Sequence, residues 1–175
     1  TGQYVHKHRV SGNNPYGDSK DPDKKNWKAN VIANIDRFET LPELLGEQGY
    51  LSHQSGKWWE GSYKRGGFTH GMTKGYPNKG GRHGDVGLKI GREGIQEVEN
   101  FVDHALAEEK PFFLWYAPFM PHTPHTPPER IFKKYKALGL SDSYAKYYSM
   151  CEWFDETCGQ MVEMLEKRNI RDNTL

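Results

Sequence analysis

Apolar residues recur at helical steps in two stretches of the chain. Ile95, Val98, Val102, Ala105 and Leu106 step by three and four, which predicts an amphipathic helix from about residue 92 to 108. Tyr147, Cys151, Phe154, Cys158, Met161 and Leu165 continue the same rhythm and predict a longer helix, about 143 to 168, with that stripe turned inward. A third helix is marked by its start. In Thr40-Leu41-Pro42-Glu43 a hydroxyl stands at the cap and a carboxylate three residues on, with proline tolerated in the first turn. Gly49 ends this helix with a left-handed cap, and Leu41, Leu44 and Leu45 form its predicted buried face. A short helix is predicted near 129–138. Two strands are interleaved with the helices. One runs from Tyr50 to about Gln54. The other is the continuous apolar run Phe112-Phe113-Leu114-Trp115-Tyr116-Ala117, whose aromatic content predicts a strand buried on both faces in a parallel sheet, stopped by Pro118.

The remaining segments are polar. Residues 1 to about 37 read as irregular, with a turn at Asn13-Asn14-Pro15-Tyr16-Gly17 and a charged loop from Asp18 to Lys28. Residues 61–92 are glycine-rich and carry Lys64, Arg65, Lys74, Lys79, Arg82, Lys89 and Arg92 against the single acid Asp85. Connections of this length inside a compact domain are often functional. The order helix, strand, loop, helix, strand, loop, helix is that of a layered α/β domain, where ligands bind beyond the carboxyl ends of the strands. The loops at Lys57 and at His122 both lie at such ends.

Composition narrows the choice. A chain of 175 residues fits one domain or a large part of one, and 13% aromatic residues supply core material even though apolar residues make up only 35%. Lysine and arginine number 24 against 23 acids, which argues against a dedicated nucleic-acid or membrane-surface protein. No apolar run reaches the roughly 20 residues a membrane helix needs. Cys151 and Cys158 sit two helical turns apart, too far for a mutual disulfide, and read as two small core residues.

Gly56-Lys57 is not a nucleotide-binding P-loop, because Leu51 and Trp58 stand where glycine and a hydroxyl residue are needed. A lysine at a strand end between glycine and two tryptophans is either a fixed cation for an anion or a surface lysine beside packed indoles. In Pro121-His122-Thr123-Pro124-His125, prolines stiffen the backbone, and a held imidazole can protonate a leaving oxygen near neutral pH. The alternatives are a bland proline-rich loop or a metal site, for which a third ligand is lacking. The basic loop either lines a mouth for an anionic substrate or is simply solvated. In that mouth, Arg65, Arg82, His83 and Asp85 are candidate contacts. There is no serine in a nucleophile elbow, no paired metal carboxylates, and no reactive cysteine with a base. A complete hydrolytic site is not present in these residues.

Six segments, in one order, resemble the sulfatases of the alkaline phosphatase superfamily. They are Thr1-Gly2 with Tyr4-Val5-His6, then Thr40 to Leu45 with Gly49-Tyr50, Gly56-Lys57-Trp58, Gly67-Phe68, Pro111 to Pro124, and Phe154-Asp155-Glu156-Thr157 through Asp172-Asn173-Thr174-Leu175. The resemblance implies an α/β fold: a partial alkaline-phosphatase-like layered α/β/α core with a mainly parallel sheet, residues 1–175 forming a single partial catalytic domain. It implies that Lys57 binds sulfate oxygens and that His122 assists departure of the leaving group. Trp59 stands where the family usually has a histidine that handles the formylglycine hydroxyls. Trp59 and His125 join Arg65, Arg82 and His83 as implied substrate contacts. In the intact enzyme a formylglycine hydrate and calcium are expected, their residues lying outside this chain, so no metal is expected on these residues and the isolated chain is expected to lack turnover. The implied partner is a sulfated small molecule or glycan, with self-association through exposed sheet edges. A periplasmic or secreted parent is expected. A phosphate or phosphonate ester hydrolase of the same superfamily and a non-catalytic sulfated-glycan-binding module are the alternatives.

Overall fold

The computed structural model describes residues 1–10, 24–59, 61–76, 78 and 85–175. The elements, in chain order, are α1 (Val5–His8), α2 (Lys24–Ala33), α3 (Leu41–Glu47), β1 (Leu51–Gly56), β2 (His70–Gly71), α4 (Gln96–Ala107), β3 (Phe112–Ala117), α5 (Glu129–Lys136) and α6 (Asp142–Lys167). The chain divides into two compact units: residues 1–89 with 100–117, and residues 90–99 with 118–175. No helix among the described residues is long and apolar enough to cross a membrane.

The sheet belongs to the first unit. Its order is β2-β1-β3, with both neighbours parallel to β1. The register runs from Leu51 opposite Phe112 to Gly56 opposite Ala117. This inverts the expected burial. The polar strand Ser52-His53-Gln54-Ser55 is central and fully buried, whereas the apolar β3 is an edge strand among the described residues, half-buried, with Trp115 40% exposed. The central position is tolerable because the polar groups of Ser52, Gln54 and Ser55 find partners, while the His53 Nδ1 does not. The Thr69 hydroxyl donates to the Ser52 carbonyl (2.8 Å) and accepts the Ser52 N–H (2.7 Å), and the Ser55 hydroxyl donates to the Trp115 carbonyl (3.1 Å). Buried polar groups cost little when so satisfied.

The capping box of α3 forms as expected. Glu43 accepts the Thr40 N–H at 2.7 Å, and the Thr40 hydroxyl reaches the Gly66 carbonyl at 2.8 Å. That second bond anchors the helix by its cap, so Pro42 is the buried residue while Leu41 and Leu44 face outward, contrary to the expected apolar face. The N-terminal region is also less irregular than its polarity suggests, since α1 and α2 form within it and Ile32 is buried. The turn at 13–17 and most of the charged loop from Asp18 lie outside the described residues.

In α4 the predicted positions Ile95, Val98, Val102 and Ala105 are buried, together with Phe101, while Leu106 is exposed. In the second unit α5 lies along α6, with Arg130 paired to Glu156 and Lys134 to Glu152. The inward positions of α6 are Ala145, Ser149, Met150, Thr157 and Met164 rather than the Tyr147-to-Leu165 stripe. Ser149 and Thr157 can be buried because their hydroxyls donate back to the carbonyls of Ala145 (2.6 Å) and Phe154 (2.8 Å). Cys151 and Cys158 are free and half-buried. Burial, with the Asp155 carboxylate, pushes the Cys158 thiol up, away from nucleophilic use.

Candidate functional site

Lys57 is held by its backbone at the carboxyl end of β1. Gly56 takes a left-handed φ of 81°, which turns the chain out of the strand. The Lys57 N–H then donates to the Ala117 carbonyl at 2.6 Å, and its own carbonyl accepts the Trp115 indole N–H at 3.3 Å. Beneath this turn, the Gly56 carbonyl accepts from both the Gln54 amide (3.0 Å) and the Thr73 hydroxyl (2.9 Å). Gln54 and Thr73 are completely buried, so the base of the turn is rigid while the lysine side chain is exposed.

The neighbouring tryptophans form a wall. Trp58 meets Trp59, Phe68 and Trp115 edge-on, with ring centroids 4.9, 5.2 and 5.0 Å apart. Such pairs add about 0.5–1.5 kcal/mol each beyond area burial. The indole N–H groups of Trp58 and Trp59 are buried without partners. An indole can donate but never accept, so Trp59 cannot relay a proton as a histidine would.

The glycine-rich segment is organised by its one acid. Asp85 is 5% exposed, and its carboxylate accepts the backbone N–H groups of Lys74 (3.0 Å), Gly75 (3.4 Å) and Gly87 (3.1 Å). Its role here is therefore to hold backbone, not to meet substrate. Gly75 is required at its position. Its φ is +60°, and a Cβ there would lie 2.1 Å from the Gly61 carbonyl carbon. Arg65 forks onto Asp36 with bonds of 2.7 and 2.8 Å, and this hydrogen-bonded pairing raises the guanidinium pKa further. Arg82 and His83 lie outside the described residues. A groove of about 540 Å³ in this unit is lined by Asp36, Arg37, Phe38, Glu39, Glu43 and Glu47. Its carboxylates would repel a sulfate ester, so it is not the candidate site.

In the second unit, the histidine loop is clamped from below by Arg92. One guanidinium nitrogen donates to the Pro124 carbonyl (3.0 Å) and the Thr126 hydroxyl (3.1 Å), and the other to the carbonyls of Phe119 (3.0 Å) and His122 (2.9 Å). Burial lowers the pKa of Arg92, far too little to discharge a guanidinium. His122 is exposed and stacks on Phe119 with centroids 4.2 Å apart. Its Nδ1 lies 2.9 Å from the Thr123 carbonyl. The Thr123 hydroxyl lies 3.2 Å from the same nitrogen; a proton on Nδ1 satisfies the carbonyl, which only accepts, and leaves Nε2 for an incoming group. His125, half-buried, packs against Tyr147 at 5.8 Å.

The structure thus brings Lys57, Trp58, Trp59 and Trp115 together in one unit, and His122 and His125 together in the other. Arg65 is committed to Asp36. Arg92 as a clamp and Gln54 with Thr73 as a base were not foreseen. Arg92 looked like one more basic loop residue, and nothing in the sequence marked it. The run Ser-His-Gln-Ser, a polar strand between helices, was the available signal for the second.

Arg92→Ala is expected to free four acceptors of the loop and to destabilise it by about 2 kcal/mol, a typical cost for charge-assisted hydrogen bonds. Faster proteolysis within 119–126 would register this. Arg92→Lys is expected to rescue poorly, because an ammonium lacks the planar fork.

Three comparisons with known proteins bear on this geometry. The family model described as Sulfatase matches residues 1–175. The crystal structure of Ps i-CgsB in complex with k-i-k-neocarrahexaose is similar to the chain with a TM-score of 0.58 at 24% identity, covering 73% of this chain and 36% of that one. The crystal structure of Ps i-CgsB matches with a TM-score of 0.57 at the same identity and coverage. The chain therefore spans about a third of the length of these structures and shares their fold over the matched part.

Proposed function

The chain belongs to the sulfatase family, and from that premise we propose that Lys57 holds sulfate oxygens and that His122 protonates the leaving oxygen of a sulfate ester. The observation that supports this reading best is the parallel pairing of β1 with β3, with Gly56 opposite Ala117. Both candidate loops leave the carboxyl ends of that pair, one at Lys57 and the other at Pro118, and ligands of such sheets bind at those ends.

The chemistry divides as follows. A sulfate ester carries one negative charge shared over its oxygens, and the Lys57 ammonium offsets it against walls of low polarity provided by the indoles. As the ester bond breaks, charge builds on the departing oxygen. An imidazolium at His122, its Nδ1–H kept on the Thr123 carbonyl, gives its Nε2 proton to that oxygen and becomes neutral. In the finer reading the intact enzyme supplies a formylglycine hydrate as nucleophile, with calcium beside it. Among the described residues no group of three or more His, Cys, Asp or Glu side chains could hold a metal ion, and no step is assigned through calcium. On this reading the chain alone is expected to bind a sulfate ester without hydrolysing it.

The k-i-k-neocarrahexaose bound by Ps i-CgsB makes sulfated sugars the first esters to assay. Inorganic sulfate binding to the chain, measured by calorimetry, tests the lysine directly. Lys57→Met is expected to weaken it about 10- to 100-fold, the cost of one charge-assisted contact. Unchanged affinity would remove Lys57 from the site. One feature, Trp59 in place of a proton-handling histidine, favours a non-catalytic glycan-binding module instead. Sulfate release by the enzyme carrying this chain and its nucleophile separates the two readings.

A further inference from the structure

Tyr147, the first residue of the stripe expected to be buried along α6, is exposed together with two neighbouring tyrosines outside that stripe. Tyr144, Tyr147 and Tyr148 occupy helical positions i, i+3 and i+4 and are 63%, 43% and 43% exposed. Their rings are arranged as a track. Tyr144 and Tyr148 are stacked with centroids 6.5 Å apart, Tyr147 and Tyr148 lie 6.0 Å apart, and Tyr135 of α5 approaches Tyr148 to 5.9 Å. At its other end the track meets the histidine loop, with Tyr147 5.8 Å from His125. All of these residues belong to the second unit.

The Tyr135 phenol has Glu152 as its neighbour and the Tyr147 phenol has Cys151, one turn along the helix, and each neighbour raises the pKa of its tyrosine. Tyrosine offers a wide apolar face with a polar tip and loses little rotamer freedom on binding. A continuous exposed aromatic surface of this kind marks an interaction site. The shape suits a ligand of flat C–H faces rimmed by hydroxyls and anionic groups, which is the chemistry of sugar rings, and the exposed Lys146 beside Tyr147 adds a cation for an anionic substituent. A protein partner would call instead for a desolvated apolar anchor. Here every ring carries a hydroxyl, and the neighbouring charges Lys134–Glu152 and Lys136–Asp142 are already paired.

We propose that Tyr147, Tyr148 and Tyr144 form a stacking track for the sugar rings that flank the sulfated residue engaged at the His122 loop. The inference rests on the sulfate-ester reading of that loop and deepens it: the substrate is an oligosaccharide or longer glycan rather than an aryl sulfate or a single sugar.

Binding of a sulfated galactan hexasaccharide and of a sulfated galactose monosaccharide to the chain separates the two levels. Tyr147→Ala and Tyr148→Ala are each expected to weaken hexasaccharide binding by up to about tenfold, the scale of one aromatic contact, and to leave the monosaccharide unchanged. Tyr147→Phe is expected to retain most of the hexasaccharide affinity, and circular dichroism checks that the helix persists in every variant. Equal hexasaccharide affinity in the alanine variants, or equal loss for both ligands, overturns the track. So does an altered oligomeric state in Tyr147→Ala without loss of sugar binding, which would make the surface a protein interface. If Lys57→Met abolishes monosaccharide binding while the tyrosine variants are silent, the sulfate reading stands and the track falls. If neither sugar binds the unmutated chain, both fall.

Discussion

Replacing His122 with alanine, in the enzyme that carries this chain and its nucleophile, is expected to lower kcat for a sugar sulfate by about 10²–10⁴-fold, the usual contribution of a positioned general acid, with KM nearly unchanged. The reasoning is specific to the atoms on hand. The Thr123 carbonyl, 2.9 Å from Nδ1, is an acceptor that favours a proton on that nitrogen, which leaves Nε2 for proton transfer to the ester. Phe119 supports one ring face at 4.2 Å, and Arg92 fixes the backbone on either side of the ring through the carbonyls of Phe119, His122 and Pro124. A side chain so held gives up little entropy on reaching the transition state. The effect should depend on the leaving group. A sugar alkoxide is a poor leaving group and needs the proton, whereas a nitrophenolate does not, so nitrophenyl sulfate should lose far less activity in the variant. Equal losses on the two esters would show that His122 serves binding or loop structure, and would end its assignment as the acid. Arg92→Ala should reproduce the same leaving-group dependence more weakly, as expected for a residue acting through position.

What the sequence disclosed follows from which physical signals are local. The α3 cap, the period of α4, the extent of β3 and the bounds of α5 and α6 depend on neighbours within a few residues, and all were legible. Which strand is central is not local. Six apolar residues at 112–117 looked like an interior strand, and Ser-His-Gln-Ser did not, yet the sheet order places the polar strand in the middle because Thr69, Thr73 and Trp115 supply its hydrogen-bond partners from distant positions. The same blindness misjudged α6, where two hydroxyl residues are buried through backbone bonds and the tyrosines are left outside. Lys57 and His122 stand out as candidates in the sequence because glycine and proline flank them. The supports do not: Arg92, Gln54 and Asp85 act through backbone groups remote in sequence, and a guanidinium that clamps a loop is spelled like one that faces solvent.

Acid should weaken the first unit before its carboxylates titrate, and His53 is the reason. This imidazole is 4% exposed, sits 5.0 Å from the Phe101 ring, and has no hydrogen-bond partner for Nδ1. Burial, helped by the nearby His70, lowers its pKa from 6.5 to about 4. His70 is itself lowered, by burial first and by His104 second, their rings being 5.3 Å apart. The folded pKa of His53 lies below the unfolded one, so between these values the unfolded chain binds a proton that the folded chain refuses. Its contribution is therefore fully present above about pH 6.5 and is lost progressively as pH falls toward 4. The full loss is about 3 kcal/mol, and about 2 kcal/mol of it should be gone by pH 5, a large share of a typical domain's stability. Urea unfolding of the chain at pH 7.5, 6 and 5 measures this slope. His53→Leu removes the titrating group and fills the same apolar surroundings, so it should flatten the curve over that range even if its stability at pH 7.5 is lower. Parallel slopes for the two proteins would mean that His53 is not the group refusing the proton, and would shift the acid sensitivity to the half-buried His70.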